Sequence, residues 1–193
     1  DVIFFHDGLS DEFIKLYSRN NIRFIKVPVS DYSNNDYRFM CYLHFLKEQE
    51  YDKVFMCDGS DVTVVLDPSR MEIKNEIMFC EEPLSLNNYQ YGATRYLDFH
   101  KGLNWSNLNH FIHSNYQLLN MGVIGSNYQN AIKFLGLFCS ERIKCNHRHL
   151  NINMPLGNYI ARNFFENIAH GSPFCSEFKK FQTDRKDVYF IHK

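Results

Sequence analysis

Short apolar runs alternate along this chain with segments whose apolar residues recur every three or four positions, and this alternation limits the possible folds more than any other feature. The runs predict strands at residues 2–5, 22–27, 53–57, 77–80, 118–125 and 188–191. The helical spacing predicts helices with apolar stripes at residues 13–17, 39–46, 131–138 and 156–164. Strands that alternate with helices indicate an α/β sandwich with a mainly parallel, Rossmann-like sheet. We expect residues 1–193 to form one domain that carries a polar, aromatic insertion at 84–116.

Composition and charge exclude several classes of protein. Hydrophobic residues make up 45% of the chain, which is enough for a sizeable core and excludes a disordered chain. The 21 basic and 22 acidic residues nearly cancel, which argues against a protein that binds nucleic acid through bulk charge. No apolar run approaches the ~20 residues that cross a bilayer, and the first residues lack the basic region of a signal peptide. We therefore expect a cytoplasmic protein, or one of the Golgi lumen if a membrane anchor lies upstream.

The six cysteines show no Cys-x-x-Cys pair. Cys57 and Cys80 lie inside apolar runs, where a cysteine usually acts as a small buried hydrophobe. Because a chain of this length does not need disulfides, we expect free thiols and a reducing compartment. An alternative use of the thiols is a zinc site, although the spacing is unusual for one; its ligands would be Cys139, Cys145, His147 and His149.

Acidic residues follow two of the predicted strands. Asp58 and Asp61 come directly after the third strand, Glu81 and Glu82 follow the fourth, and His192 follows the last one. Ligands of open α/β sheets bind outside the carboxyl ends of the strands, so we expect these side chains to share one edge. The same Asp-Gly-Ser-Asp sequence is also ordinary turn chemistry, in which a glycine relaxes the backbone.

Two carboxylates three positions apart in a turn can converge on one cation. Mg²⁺ and Mn²⁺ prefer oxygen ligands, and an added histidine nitrogen favours Mn²⁺. Such an ion would bridge a diphosphate and neutralise the charge on a leaving group. The sequence therefore predicts a metal site formed by Asp58, Asp61 and His192.

Five segments resemble, in order, the motifs of GT-A glycosyltransferases. The first, residues 51–62 (YDKVFMCDGSDV), is similar to their metal-binding segment and is closest to the Asp-x-x-Asp variant of collagen-modifying glycosyltransferase domains. The remaining four are residues 77–81 (IMFCE), 118–125 (LLNMGVIG), 153–159 (NMPLGNY) and 189–192 (YFIH). The resemblance implies a GT-A fold, a nucleotide-sugar donor and a bound Mn²⁺ or Mg²⁺.

The resemblance also implies a role for individual residues. Asp58, Asp61 and His192 would hold the metal, and Asp58 would contact the nucleotide ribose. Asn153 and Asn158 would line the acceptor site. The donor would contact Arg38, Asp58, Gly59, Ser60, Asn120 and Gly122. Each of these residues also has a purely structural interpretation. The arginine at 38 could be a solvated helix residue, residues 120–122 could form a turn at the end of a strand, and the histidine at 192 could lie on the surface.

The chain departs from the family pattern at two places. Asn153 stands where many relatives carry aspartate, so this position would not supply a base or nucleophile. Glu81 or Glu82 would then activate the acceptor, because a general base needs a carboxylate or histidine within reach; otherwise they are a charged strand end. We also expect the family's opening strand and helix to be missing, through truncation or because this chain handles the base differently.

The sequence thus predicts a metal-dependent glycosyltransferase that moves a sugar from a nucleotide diphosphate donor, UDP-linked by preference, to a hydroxyl of a glycan or glycoconjugate. One alternative is a non-catalytic, glycosyltransferase-like module that binds a nucleotide or glycan. Another is a metal-dependent phosphotransferase or phosphohydrolase, which would need a lysine or threonine at neighbouring strand ends. The sequence sets no oligomeric state.

Overall fold

The computed structural model describes residues 1–89, 111, 113–145 and 147–193. Its strands are β1 (Val2–His6), β2 (Ile22–Lys26), β3 (Lys53–Cys57), β4 (Val62–Val64), β5 (Ile77–Ser85), β6 (Gln117–Asn127), β7 (Ile168–His170) and β8 (Phe190–His192). Its α-helices are α1 (Asp11–Tyr17), α2 (Asn34–Leu46), α3 (Tyr128–Lys144) and α4 (Asn153–Phe164). Most of the predicted insertion at 84–116 lies outside the described residues.

A four-stranded central sheet has the order β3-β6-β5-β7. Strand β6 pairs antiparallel with both β3 and β5, while β5 and β7 pair in parallel. Three of the four strands therefore run in one direction, as the sequence predicts, but the reversed β6 separates two of them and makes the sheet mixed. Two smaller pairs complete the α/β fold, the parallel β1–β2 pair and the antiparallel β4–β8 pair.

The main core lies between the central sheet and helices α2, α3 and α4. The predicted stripe of α3 is fully buried: Ala131, Phe134, Leu135 and Phe138. Burying each of the larger apolar side chains contributes about 1.5–3 kcal/mol to stability. On α4 the stripe is shorter than the sequence suggests, because Phe164 at its end is 43% exposed.

A buried ion pair holds the start of α2 to the end of α3. Arg142 Nε donates to Asp36 Oδ2 at 2.8 Å, and both side chains are fully buried. The Nη2 group of Arg142 also donates to the carbonyl oxygens of residues 147, 148 and 150. Burial raises the pKa of Asp36, and the charge of Arg142 opposes that rise. This pair fixes α2, which carries Arg38 towards the sheet edge.

The expectation of free thiols throughout the chain is wrong for one pair. A disulfide joins Cys80 of β5 to Cys175, across a Cα–Cα distance of 5.3 Å. The two residues are 95 positions apart, so local sequence gives no sign that they meet. The remaining four cysteines are free. Among the described residues, no helix combines the length and the apolar character needed to span a bilayer.

Candidate metal and donor site

The turn after β3 brings the two aspartates of the Asp-x-x-Asp motif to the sheet edge. Asp58 N donates to the Gly122 carbonyl oxygen at 2.8 Å, which extends the β3–β6 pairing by one residue. The chain then turns into β4, whose residue Val62 lies opposite His192 of β8. Lys193 N donates to the Asp61 carbonyl oxygen at 2.9 Å. The β4–β8 pairing thus brings the histidine from the end of the described chain to the two aspartates.

The three predicted metal ligands lie together. His192 Nε2 is 3.8 Å from Asp58 Oδ2 and 3.5 Å from Asp61 Oδ2. One potential ligand atom from each residue lies within 4.8 Å of the others. The His192 side chain is only 2% exposed, which excludes the surface-histidine alternative. Among the described residues, this is the one group of three or more histidine, cysteine or acidic side chains close enough to share an ion.

The polar atoms of this group fit a divalent cation. Within the described part of the chain, Asp61 Oδ1 and both ring nitrogens of His192 are buried without a hydrogen-bond partner. A buried polar atom without a partner costs about 1–3 kcal/mol, and a metal ion would satisfy such atoms. Burial lowers the pKa of His192, although the Asp61 carboxylate opposes that shift, so the ring favours the neutral form that binds metals. Two carboxylates and an imidazole suit Mn²⁺ or Mg²⁺.

Gly122 leaves the space that the histidine fills. A Cβ atom at this position would lie 2.7 Å from His192 Nε2 and 2.8 Å from Asp58 Oδ2. Gly122 thus lies next to the candidate metal ligands, and its contact with a donor stays a prediction. Gly59 differs: its φ lies outside the left-handed region and a Cβ there would meet no atom, so the turn does not need glycine as the sequence suggested.

Arg38 projects from α2 into the same site. Its guanidinium forms an ion pair with Asp58, and Nη2 donates to the Met121 carbonyl oxygen at 2.8 Å. The side chain is only 14% exposed, so the solvated-arginine alternative is wrong. Burial lowers the pKa of Arg38, and nearby groups including the Asp36 and Asp61 carboxylates oppose that shift.

Asn120 and Glu82 form a buried hydrogen-bond relay beside the candidate ligands. Asn120 Nδ2 donates to Glu82 Oε1 at 2.6 Å, and Asn120 Oδ1 accepts from Gly122 N at 2.7 Å. Burial raises the pKa of Glu82, while the bond from Asn120 and the charge of Lys179 oppose the rise. The relay orients the Asn120 amide from both sides and connects Glu82 to the backbone of Gly122.

Glu81 lies in a different environment from Glu82. Its Oε2 lies 2.8 Å from His170 Nδ1, and the two side chains are 28% and 31% exposed. Gly171, at φ 71°, packs against this carboxylate. Both glutamates lie inside β5, which continues to Ser85 through irregular pairing, rather than beyond its end as the sequence predicted.

The predicted acceptor residues lie in α4. Asn158 is fully buried, and its amide bonds the backbone of β6: Oδ1 accepts from Leu119 N at 2.9 Å, and Nδ2 donates to the Leu119 and Met154 carbonyl oxygens at 2.8 Å. Asn153 is buried at the start of the helix. The structure therefore gives Asn158 a clear bridging role between α4 and β6.

Ser60, one of the predicted donor contacts, lies exposed in the turn between the aspartates.

The alternative zinc ligands do not form a cluster among the described residues. Cys139 and Cys145 are buried, and burial raises the pKa of the Cys139 thiol to about 12. Burial also raises the pKa of the Cys145 thiol, and both shifts disfavour the thiolate form that zinc binds.

Two residues that contact His192 were not apparent from the sequence. Ser176 Oγ accepts a hydrogen bond from His192 N at 3.1 Å, and the Phe178 ring lies 4.3 Å from the imidazole, centroid to centroid. They lie between β7 and β8, in a stretch with no apolar periodicity. Only the three-dimensional pairing of β8 could have identified them.

Comparisons with known proteins support the fold. No protein-family model and no curated protein matches the sequence. The structure is similar to galactosyltransferase LgtC in complex with donor and acceptor sugar analogs: 15% identity, 98% of this chain and 74% of that chain covered, TM-score 0.55. It is also similar to an active-site mutant of LgtC, at 15% identity, with 98% and 75% covered and a TM-score of 0.52. The chain thus has the GT-A glycosyltransferase fold, and these neighbours do not support the collagen-modifying subgroup.

Proposed function

We propose that this protein is a metal-dependent glycosyltransferase that moves a sugar from a nucleotide diphosphate donor, preferably a UDP-sugar, to a hydroxyl of a glycan or glycoconjugate. The observation that carries the proposal is the convergence of Asp58, Asp61 and His192. Among the described residues, Asp61 Oδ1 and both ring nitrogens of His192 are buried there without a hydrogen-bond partner. This convergence occurs at the ligand-binding edge of a GT-A-like sheet.

Asp58, Asp61 and His192 would hold Mn²⁺ or Mg²⁺. When bound, the ion supplies positive charge that stabilises a diphosphate leaving group. Arg38 adds a second positive charge and orients the Asp58 carboxylate through their ion pair. Because the guanidinium is largely removed from water, its attraction for a phosphate is less screened than at an open surface.

Asn120 would contact the donor sugar. Its amide is fixed at both ends, by Glu82 and by Gly122 N, so the group needs no reordering when the donor binds. Gly59 and Ser60, exposed in the turn between the aspartates, would face the nucleotide. Asn153 would then shape the acceptor side from the start of α4, while Asn158, fully buried and bonded to Leu119, would act there only by holding α4 to β6.

Glu81 is the better candidate for the general base. Glu82 is buried and accepts the Asn120 amide, whereas Glu81 is partly exposed and has His170 beside it. In the proposed transfer, the bond between the anomeric carbon and the diphosphate oxygen breaks, and the acceptor oxygen forms a new bond to that carbon. The acceptor proton passes to Glu81, and the electron pair of the broken bond leaves with the diphosphate.

The Cys80–Cys175 disulfide indicates the redox state of the cellular compartment in which the protein works. Disulfides persist in oxidising environments, and the cytosol keeps thiols reduced. We therefore infer an oxidising compartment rather than the cytoplasmic location that the sequence suggested, with residues 1–193 acting as one glycosyltransferase domain.

Calorimetric titration of UDP, with and without Mn²⁺, tests the proposed function. We expect Mn²⁺-dependent binding to the wild type that is lost in Asp61→Ala. Asp67→Ala is the matched control, because Asp67 is exposed and its carboxylate contacts only its own turn, where it caps a one-turn helix through Ser69 N and lies 3.6 Å from Arg70 Nε. A UDP affinity that is the same with and without Mn²⁺, or no binding of any nucleotide diphosphate, would contradict the proposal.

Turnover separates an enzyme from a binding module. The proposal predicts slow release of free sugar from a UDP-sugar in the presence of Mn²⁺, and loss of this hydrolysis in Glu81→Gln with UDP affinity kept. Tight, metal-dependent UDP binding without turnover of any donor would favour the non-catalytic module instead.

A further inference from the structure

Residues 171–178, here called the 171–178 segment, join β7 to the last part of the chain and lie against β8. Cys175 N donates to the Gly171 carbonyl oxygen at 3.0 Å, and Cys175 forms an isolated parallel bridge with Phe190. The Cys80–Cys175 disulfide joins this segment covalently to β5 of the central sheet. Both sulfur-bearing residues are fully buried.

The 171–178 segment supports the candidate ligand His192 at two points. Ser176 receives the His192 backbone N–H on its hydroxyl oxygen at 3.1 Å, and Ser176 N donates to the Phe190 carbonyl oxygen at 2.9 Å. The Phe178 ring packs on the imidazole, and Phe178 N donates to the Glu81 carbonyl oxygen at 3.0 Å. Among the described strands, β8 pairs with β4, which is only three residues long. This pair forms a sheet of its own and is not part of the central sheet.

The position of His192 therefore depends on an element that the central sheet holds by a covalent bond. The disulfide lies one residue before Ser176 and three before Phe178. Metal–ligand distances in a well-formed site lie within about 0.2 Å of their standard values. A small shift of the 171–178 segment would therefore displace the His192 imidazole, because Ser176 and Phe178 contact this residue.

We propose that the Cys80–Cys175 disulfide is a positioning element for metal binding: it holds the 171–178 segment so that Ser176 and Phe178 keep His192 in ligating position. This inference rests on the proposed role of His192 as a metal ligand. It assigns the disulfide a function beyond the general stabilisation that any long-range crosslink gives.

The test measures the affinity for Mn²⁺ alone, by titration calorimetry, at a temperature where circular dichroism shows each variant to be folded. Cys80→Ala/Cys175→Ala should bind Mn²⁺ roughly 10–100-fold more weakly than the wild type, the range typical for loss of groups that orient metal ligands. Cys41→Ala/Cys139→Ala is the matched control: it also removes two buried cysteines, but these are free. Its affinity should equal that of the wild type.

Ser176→Ala tests the same path while leaving the disulfide in place. It removes the hydroxyl that accepts from His192 N and should also weaken Mn²⁺ binding. Because both changes act through the 171–178 segment, Ser176→Ala should have a smaller effect when the disulfide is already absent. A loss of global stability alone would not produce this non-additive pattern in the affinity of folded protein.

The outcomes separate this inference from the proposed function. If wild-type protein binds Mn²⁺ neither alone nor together with UDP, the proposed function fails together with the inference that rests on it. If the wild type binds Mn²⁺ and folded Cys80→Ala/Cys175→Ala binds it equally well, the inference fails and the proposed function stands. If that variant does not fold, an unchanged affinity in Ser176→Ala overturns the inference.

Discussion

Gly122→Ala is the most direct perturbation of the site that leaves every candidate ligand in the chain. The new Cβ would lie 2.7 Å from His192 Nε2 and 2.8 Å from Asp58 Oδ2, where ordinary contacts begin near 3.4 Å. The Cε1 atom of the imidazole would lie still nearer to the new Cβ, so the ring would have to withdraw by more than about 0.7 Å. It has no free space to do so, because His192 is buried and packed against Phe178.

This displacement exceeds the ~0.2 Å range within which metal–ligand distances lie in a well-formed site. We expect Gly122→Ala to weaken Mn²⁺ binding roughly 10–100-fold and to lower the free energy of unfolding by about 1–3 kcal/mol, the usual cost of overpacking. The assays are Mn²⁺ titration calorimetry and urea unfolding.

Gly136→Ala in α3 is the matched control for this substitution. A Cβ there would meet no atom within 4 Å, and alanine in a helix should raise the free energy of unfolding by about 0.5–1 kcal/mol. Its Mn²⁺ affinity should equal that of the wild type. Wild-type Mn²⁺ affinity in folded Gly122→Ala would refute the reasoning, because the ligands would then not meet beside this glycine.

Three further predictions concern stability and covalent state. Thiol titration of the denatured protein should find four free thiols before reduction, because Cys80 and Cys175 are paired, and six afterwards; six before reduction would contradict the disulfide. Arg142→Met should destabilise the fold by about 3–5 kcal/mol, since it leaves the Asp36 carboxylate buried without its partner; urea unfolding measures this, and Asp36→Leu/Arg142→Met should recover part of the loss. Burial lowers the pKa of His192 below its ordinary value of 6.5. In the metal-free protein, the stability that the neutral ring contributes is therefore present above pH 6.5 and is lost as the pH falls towards the lowered pKa. The thermal stability of His192→Gln should accordingly depend less on pH below 6.5 than that of the wild type.

The features that depend on local pattern could be predicted from the sequence. The stripe of α3 follows from apolar spacing over about two turns, and all four of its predicted core residues are buried. The strand before Asp58 is a short apolar run, and its end marks where the acidic turn must lie. Asp61 follows within the same turn, so both carboxylates could be placed at one sheet edge.

The features that depend on distant parts of the chain could not be predicted. Cys80 meets Cys175 across 95 residues, and Asp36 meets Arg142 across 106. Neither pairing leaves a periodic signal, because each is decided by how whole elements pack. The extension of β5 through Glu81 was missed for a similar reason, since an irregular pairing with β6 continues the strand beyond its apolar residues.

The reversed β6 shows the same limit in the sheet itself. Its apolar run predicts a buried strand, and the strand is buried, but residue pattern alone does not give the strand a direction. The direction of β6 matters to the site, because the antiparallel pairing of β6 with β3 places Gly122 beside Asp58. Asn120 lies two residues earlier on the same strand.

Anomalous diffraction at the manganese edge, from crystals grown with Mn²⁺ and UDP, would test the central claim most directly. The account predicts one anomalous peak within coordination distance of carboxylate oxygens of Asp58 and Asp61 and a ring nitrogen of His192, with the diphosphate on its open side. A peak elsewhere, or UDP bound at this edge with no metal between these three side chains, would contradict it.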